Sequence, residues 1–195
     1  MISNYRLFQS HPIQIILKHK LSEKEQMMKT ILDTTLSKYY SKIKKYWYAP
    51  KTVIIDVSCV PYSHPIITIN TRLRHHDIDK VYIPLLILLI HENIHHWLSD
   101  QHEQTQEAIK QLKIIYSEEC EDFVGRKFPS KDSYWLHIIV NWNTVNICNK
   151  IFKPAEINYY YNECRVAYKS LDKYLNNNFD KVRKELEELN MVIPI

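Results

Sequence analysis

The pattern of hydrophobic and polar residues divides this chain into segments with helical and strand-like periods. From Ser22 to about Trp47, apolar residues recur every three or four positions, which predicts an amphipathic helix. Glu25 follows Ser22 at the capping-box spacing, and Ala49-Pro50 ends the helical pattern. Two short apolar runs then predict strands, at residues 53–57 and 66–70.

A longer apolar run, from Val81 to Ile90, predicts a core helix that begins near Pro84, after a short third strand at residues 81–83. Three later segments have helical length and period: residues 103–127, 134–152 and 155–189, the last interrupted at 176–178. This order of elements predicts an α+β fold, in which a small β-sheet packs on a mostly helical domain that contains one buried helix.

The buried helix carries the sequence His91-Glu92-Asn93-Ile94-His95, an H-E-x-x-H motif. Residues four apart lie one turn apart on a helix, so the imidazoles of His91 and His95 point the same way and can bind one zinc ion. The carboxylate of Glu92 then lies beside the open coordination position, where it can act as a general base toward a water molecule. The motif therefore predicts Zn²⁺ as cofactor and hydrolysis as chemistry. The alternative is a buried helix whose histidines only form hydrogen bonds.

A catalytic zinc site usually has three protein ligands, so the sequence must supply one more. On a helical wheel of residues 103–127, Glu119 lies in the middle of the apolar face, where a carboxylate is costly unless it is paired or bound to metal. Glu119 is therefore the predicted third ligand, and Glu118 lies nearer to solvent. His137, inside an apolar segment, is a rival ligand, a catalytic donor to the transition state, or a core histidine. The phenols of residues 159–161 are further candidate donors to an oxyanion, although helix packing is the commoner role of such residues.

The amino-acid composition excludes several classes of fold and binding site. The single glycine, Gly125, excludes Gly-rich phosphate-binding loops and argues against an all-β fold. The four cysteines have no C-x-x-C spacing, so a cysteine zinc site is not expected. Lysines of the first quarter of the chain account for much of the net charge of +4. They would suit nucleic acid or an acidic membrane surface, although a solvated helix face is the commoner meaning of such a pattern.

Residues 1–17 contain no continuous apolar stretch, so no signal peptide is expected. The run from Val81 to Ile90 is too short to span a bilayer, so no transmembrane segment is expected either. Together these features predict an intracellular, cytoplasmic protein with reduced cysteines. The pattern gives no indication of the oligomeric state.

The motif and a candidate glutamate on a following helix resemble the gluzincin clan of zinc metallopeptidases. Within the clan, the chain is similar to the minimal catalytic core of the thermolysin-like enzymes, as in the minigluzincins. The two histidines and the glutamate of the motif match directly, and Glu119 lies at a distance along the chain that the clan uses for its Glu ligand. Glu118 with Asp122 also fits the E-x-x-x-D spacing of thermolysin-like enzymes, which would make Glu118 the ligand. The resemblance covers residues 84–127.

The resemblance implies a zinc metallopeptidase that hydrolyses a peptide or protein substrate, with Glu92 as the general base. The chain length and the order of elements predict a single domain, with an N-terminal helical segment at 1–50, a core at 51–152 and C-terminal helices at 153–195 packed on that core. The resemblance makes the core a zincin-like catalytic one. It also implies that the strand at 66–70 lines the substrate cleft. The alternative is a non-enzymatic protein of the same fold that binds a partner or nucleic acid through its Lys-rich N-terminal helix.

Overall fold

The computed structural model describes residues 11–19, 22–70, 80–116, 131–164 and 168–194. The strands are β1 (Gln14–Leu17), β2 (Thr52–Ile55) and β3 (Ile67–Ile69). The α-helices are α1 (Glu23–Ile43), α2 (Tyr82–Asp100), α3 (His102–Ile115), α4 (Lys131–Ile151), α5 (Pro154–Tyr159) and α6 (Lys169–Glu188), with a 3₁₀ turn at Lys44–Tyr46 and a π-helical segment at Tyr160–Cys164. This mostly helical chain with one small sheet confirms the predicted α+β class. Within the described ranges, no helix combines the length and apolarity that a membrane crossing requires.

The sheet is parallel throughout, with the strand order β1-β2-β3. Gln14 of β1 lies opposite Thr52 of β2, and α1 forms the crossover between these strands. The sequence pattern predicted β2 and β3 but missed β1, because 4 residues with a single buried side chain carry too little periodicity. Part of the segment at 1–50 that was predicted to be helical therefore belongs to the sheet.

The first turn of α1 contains half of the predicted capping box. Ser22 Oγ accepts a hydrogen bond from the Glu25 backbone N–H at 3.3 Å. The fully buried Glu25 carboxylate instead accepts from the backbone N–H groups of His19 at 2.9 Å and Val57 at 2.8 Å. Because His19 follows β1 and Val57 follows β2, this side chain joins the ends of two strands to α1.

Helix α2 passes through the core, with side chains such as Leu85, Leu89 and Ile94 fully buried. It begins at Tyr82, so residues 81–83 do not form the predicted third strand. Proline is tolerated in the first turn of a helix, where the missing N–H would have no partner in the helix. Pro84 can therefore occupy the third position of α2.

Asn93, inside the motif, ties α2 to the segment that follows α1. Its Oδ1 accepts from the N–H groups of Tyr48 at 2.8 Å and Ala49 at 2.7 Å, and its Nδ2 donates to the Tyr46 carbonyl. The residue is only 3% exposed, so these bonds satisfy polar atoms that water does not reach. The motif helix is thereby fixed against the connection between α1 and β2.

Helix α3 ends at Ile115, well before the predicted end at Lys127. Ala108, Ile109 and Leu112 of α3 are buried, as its apolar pattern predicts, but Tyr116 has an extended backbone (φ −115°, ψ 97°). The Tyr116 ring packs edge-on against Tyr174, with centroids 5.7 Å apart, and its hydroxyl donates to Glu185 of α6. These contacts with α6 lie where α3 ends, and the apolar periodicity of the sequence did not predict that end.

The segment predicted over residues 134–152 is helical, in α4. The final predicted helix, over 155–189, is instead divided, because α5 passes into the π-helical segment and α6 starts afresh at Lys169. The predicted interruption near residues 176–178 is confirmed as a kink, where Asn178 has non-helical angles (φ −126°, ψ 19°).

Candidate metal centre

Three histidine side chains converge between α2 and α4. His91 and His95 project from α2 and His137 from α4, and one nitrogen of each lies within 4.8 Å of the other two. The ring centroids are 5.1, 5.2 and 5.7 Å apart. In a tetrahedral site, Zn–N bonds of about 2.0–2.1 Å place neighbouring nitrogens about 3.4 Å apart. Small side-chain movements would therefore let the three histidines share one ion.

The backbone of α4 determines which nitrogen of His137 carries the lone pair. His137 Nδ1 lies 2.6 Å from the carbonyl oxygen of Ser133. A carbonyl only accepts, so Nδ1 carries a proton and donates, and in the neutral imidazole the lone pair is then on Nε2. Histidines that bind metals are commonly oriented by a carbonyl acceptor in this way.

The electrostatics of the cluster keep His95 neutral. Burial and, to a smaller extent, the nearby imidazoles of His137, His64 and His96 lower its pKa to about 3. A neutral imidazole retains the lone pair that a metal ion requires. At neutral pH, His95 is therefore a ready ligand.

Glu92 lies beside His91 and is 7% exposed. Burial raises the pKa of its carboxyl to about 8, because the charged form loses its solvation. A cation bound at the adjacent histidines would favour the carboxylate and bring this pKa down again. The side chain thus has the environment expected of a general base whose protonation depends on the metal.

The raised pKa of Glu92 predicts that this residue makes the metal-free protein less stable as pH rises. Between the ordinary value of 4.5 and the folded value of about 8, the folded state keeps a proton that the unfolded state has released. Glu92 should therefore contribute a fall in the free energy of unfolding through this window, of up to about 1.4 kcal/mol per pH unit. Glu92→Gln, which resembles the protonated form, should lack this slope. Urea unfolding of both metal-free proteins at about pH 5 and about pH 9 measures the difference, and parallel pH dependences would contradict the prediction.

Glu119, the predicted third ligand, and its rival Glu118 lie outside the described residues. The wheel that placed Glu119 on an apolar face assumed one continuous helix over residues 103–127. That assumption is wrong, because α3 ends at Ile115 and Tyr116 is extended. Among the candidates that the structure describes, His137 is the residue that meets His91 and His95.

A tyrosine outside the predicted site, Tyr168, packs on this cluster. The ring of Tyr168 lies 4.8 Å from that of His137 and 5.8 Å from that of His91, centroid to centroid. The sequence instead favours the phenols at residues 159–161, which lie at the end of α5 and in the π-helical segment. No local pattern marks Tyr168, because its contacts are with residues distant in the chain.

The turn before β3 is fixed close to the cluster by His96. His96 Nε2 lies 2.7 Å from the Ser63 carbonyl, and the ring of His64 stacks on that of His96 with centroids 4.2 Å apart. His96 directly follows His95, and both His96 and His64 contribute to the low pKa of His95. Sequence spacing gave no sign of this contact, because Ser63 and His96 are 33 positions apart.

The outer edge of β3 is paired within the chain. Tyr62 donates its N–H to the Thr68 carbonyl at 3.0 Å and accepts from the Thr68 N–H at 2.8 Å. A substrate strand that lined this edge would need those same backbone groups. The expectation that the strand at 66–70 lines a substrate cleft is therefore not supported at Thr68.

A second group of potential ligands, His19, Glu25 and Asp56, is accounted for by structural hydrogen bonds. Asp56 accepts from Ser58 Oγ at 2.5 Å and Ser58 N at 2.8 Å, and these bonds, together with Lys18, hold its pKa at about 2. Lys18 Nζ, 3.3 Å from Asp56 Oδ2, already supplies positive charge. The Glu25 carboxylate holds two backbone N–H groups, as described above. This group needs no metal to explain it.

Part of the lysine charge on α1 lies against aromatic rings of the same chain. Lys38 Nζ is 5.2 Å from the ring centroids of both Tyr39 and Tyr82, and Lys42 Nζ is 5.5 Å from that of Tyr39. These distances are typical of cation–π contacts. Binding of nucleic acid through this helix stays a prediction.

The fold and the site together define the class of this protein: an α+β chain with a three-histidine candidate metal centre between α2 and α4. Comparison of the chain with protein-family models, with curated proteins and with solved structures gives no match. The function is therefore argued from the geometry and chemistry of the centre.

Proposed function

We propose that this protein is a zinc-dependent hydrolase, with His91, His95 and His137 as metal ligands and Glu92 as general base. The observation that carries the proposal is the convergence of three imidazole nitrogens to within 4.8 Å of one another. Three protein ligands with one open position is the usual arrangement of a catalytic zinc site, whereas structural zinc sites are closed by a fourth ligand.

The chemistry of the donors favours zinc over the hard cations. Imidazole nitrogen suits zinc and the neighbouring transition metals, whereas Mg²⁺ and Ca²⁺ prefer oxygen. His137, with its Nδ1 proton held by the Ser133 carbonyl, has the tautomer of a ligand that binds through Nε2. His95 is neutral at physiological pH for the reasons given above. The site therefore fits a zinc ion without a change in protonation at His95.

The motif assigns the catalytic step to Glu92. Zinc bound at the three histidines would polarise the scissile carbonyl and acidify a water molecule. The Glu92 carboxylate would accept the proton of that water as it attacks, and would then pass it to the leaving nitrogen. Its low exposure limits competition from bulk water.

Peptide bonds are the substrate class that we propose, from the H-E-x-x-H helix and its resemblance to the gluzincin clan. The proposed ligand set departs from that clan, whose third ligand is a glutamate, because His137 takes this role here. The paired outer edge at Thr68 argues that a peptide would approach the centre from another side than the strand at 66–70.

Removal and return of the metal tests the proposal. Protein purified without chelators should contain one zinc per chain by elemental analysis, and the metal-free protein should show one saturable site. Bound zinc should raise the thermal transition, since a ligand that binds only the folded state stabilises it. Hydrolysis of a mixed peptide library should stop on chelation and recover when zinc is restored. A protein with no saturable zinc site would refute the proposal, and a zinc-loaded protein that cleaves no peptide would favour the non-enzymatic alternative.

A further inference from the structure

Tyr168 precedes α6 in a backbone conformation that tyrosine rarely adopts. Its angles, φ 63° and ψ 20°, lie in the left-handed region, where the Cβ atom crowds the backbone. The other non-glycine residue with positive φ in the described ranges is Asn190, of a type that tolerates this region. Strained backbone persists where surrounding contacts over-determine it, and it concentrates at functional sites. The ring contacts of Tyr168 supply such a constraint.

The ring of Tyr168 packs on two of the three candidate ligands. Its plane is inclined by 27° to that of His137 and by 34° to that of His91, and the two imidazoles are inclined by 29° to each other. The three rings therefore lie with their planes roughly parallel. His95 instead meets both other histidines edge-on, at 72° and 69°.

We propose that Tyr168 is a positioning residue of the metal centre, whose ring holds the imidazoles of His91 and His137 in the orientation that binds the ion. The inference rests on the zinc site proposed above. His91 and His137 belong to different helices, so no single element fixes their relative orientation. A ring packed on both restricts their rotamers before the metal arrives, and such preorganisation strengthens binding. The left-handed backbone directs the Cα–Cβ bond of Tyr168, so a right-handed conformation would turn the ring elsewhere.

Zinc affinity of the full-length, metal-free chain tests this role, by competition with a chromophoric chelator. Tyr168→Phe keeps the ring and should bind zinc as tightly as wild type. Tyr168→Asn removes the ring but suits the left-handed backbone, and its Kd should rise by about 10-fold or more, as when other supporting residues of a metal site are removed. Tyr40→Asn is the matched control, because Tyr40 is a half-buried tyrosine on α1 packed against His11. Its Kd should not change.

A cobalt(II) spectrum gives a second readout. Loosened ligand geometry should change the visible bands of the cobalt-loaded Tyr168→Asn variant and leave those of Tyr40→Asn as in wild type. An unchanged Kd in a folded Tyr168→Asn protein would overturn the inference, and so would an equal loss in Tyr168→Phe, which would assign the effect to the hydroxyl. If Tyr168→Asn does not fold, Tyr168→Gly removes the same ring, accepts the same angles and should show the same loss. Failure of the zinc proposal itself would be seen in the wild-type titration alone.

Discussion

Replacing His137 with alanine is expected to weaken zinc binding by at least about 100-fold, which exceeds the usual effect of losing an outer-shell partner. His137 supplies one of the three nitrogens that lie within 4.8 Å of one another. Without it, two histidines on one helix face remain, and few proteins hold zinc with so incomplete a set. The ring is only half-buried, so its truncation should leave the helical circular dichroism of the metal-free protein unchanged. Titration of the metal-free variant with zinc against a competing chelator measures the loss.

Glu119→Ala and Glu118→Ala are the matched controls for the third ligand, because each removes a glutamate that the sequence alone had proposed. Both variants should retain the wild-type zinc affinity. A loss of zinc in Glu119→Ala, with His137→Ala unaffected, would return the third ligand to the glutamate of the gluzincin resemblance. A loss of zinc in both Glu119→Ala and His137→Ala would indicate that the segment at 117–130 also reaches the ion.

Glu92→Gln is expected to retain zinc and to reduce peptide hydrolysis by about 100-fold or more, at the lower end of the effect of a general base. Glutamine has nearly the same size and can form hydrogen bonds, but it cannot accept the proton of the attacking water. Burial of Glu92 raises the pKa of its carboxyl and so favours a neutral side chain at this position, and the variant should therefore fold normally. The initial rate on the best substrate from the peptide library, at saturating zinc, gives the comparison.

Glu103→Gln is the control for this substitution, because Glu103 is an exposed carboxylate in the first turn of α3. Its rate should match that of wild type. Equal rates for Glu92→Gln and wild type would remove Glu92 from the mechanism. A parallel loss of zinc in Glu92→Gln would instead make Glu92 part of the binding site.

The periodicity of the sequence was sufficient to predict those helices that depend mainly on residues close to one another in the chain. The apolar run into the motif predicted α2 as a buried helix, and the fixed rise of a helix placed His91 and His95 on one side of it. The segment at 134–152 was long and apolar enough to predict α4. β1 escaped notice because its few residues carry almost no period, and its identity as a strand comes from pairing with β2.

The third member of the candidate site could not be read from local pattern. A helical wheel favoured Glu119, but it extended a helix that in the structure ends at Ile115. In the sequence alone His137 is one of several candidates, because its distance from His95 depends on how α4 packs against α2. That packing is decided by side chains of both helices together, and no spacing along the sequence encodes it.

The amino-acid sequence by itself determined the motif helix, the general class of fold and two of the three candidate ligands. Tertiary structure alone brought His137 to the motif, closed the edge of β3 with Tyr62 and placed Tyr168 on the imidazoles. The physical reason is the separation along the chain of the residues that determine each feature. Helix geometry repeats over a few residues, whereas a strained backbone such as that of Tyr168 is held in place by contacts from helices far away in the sequence.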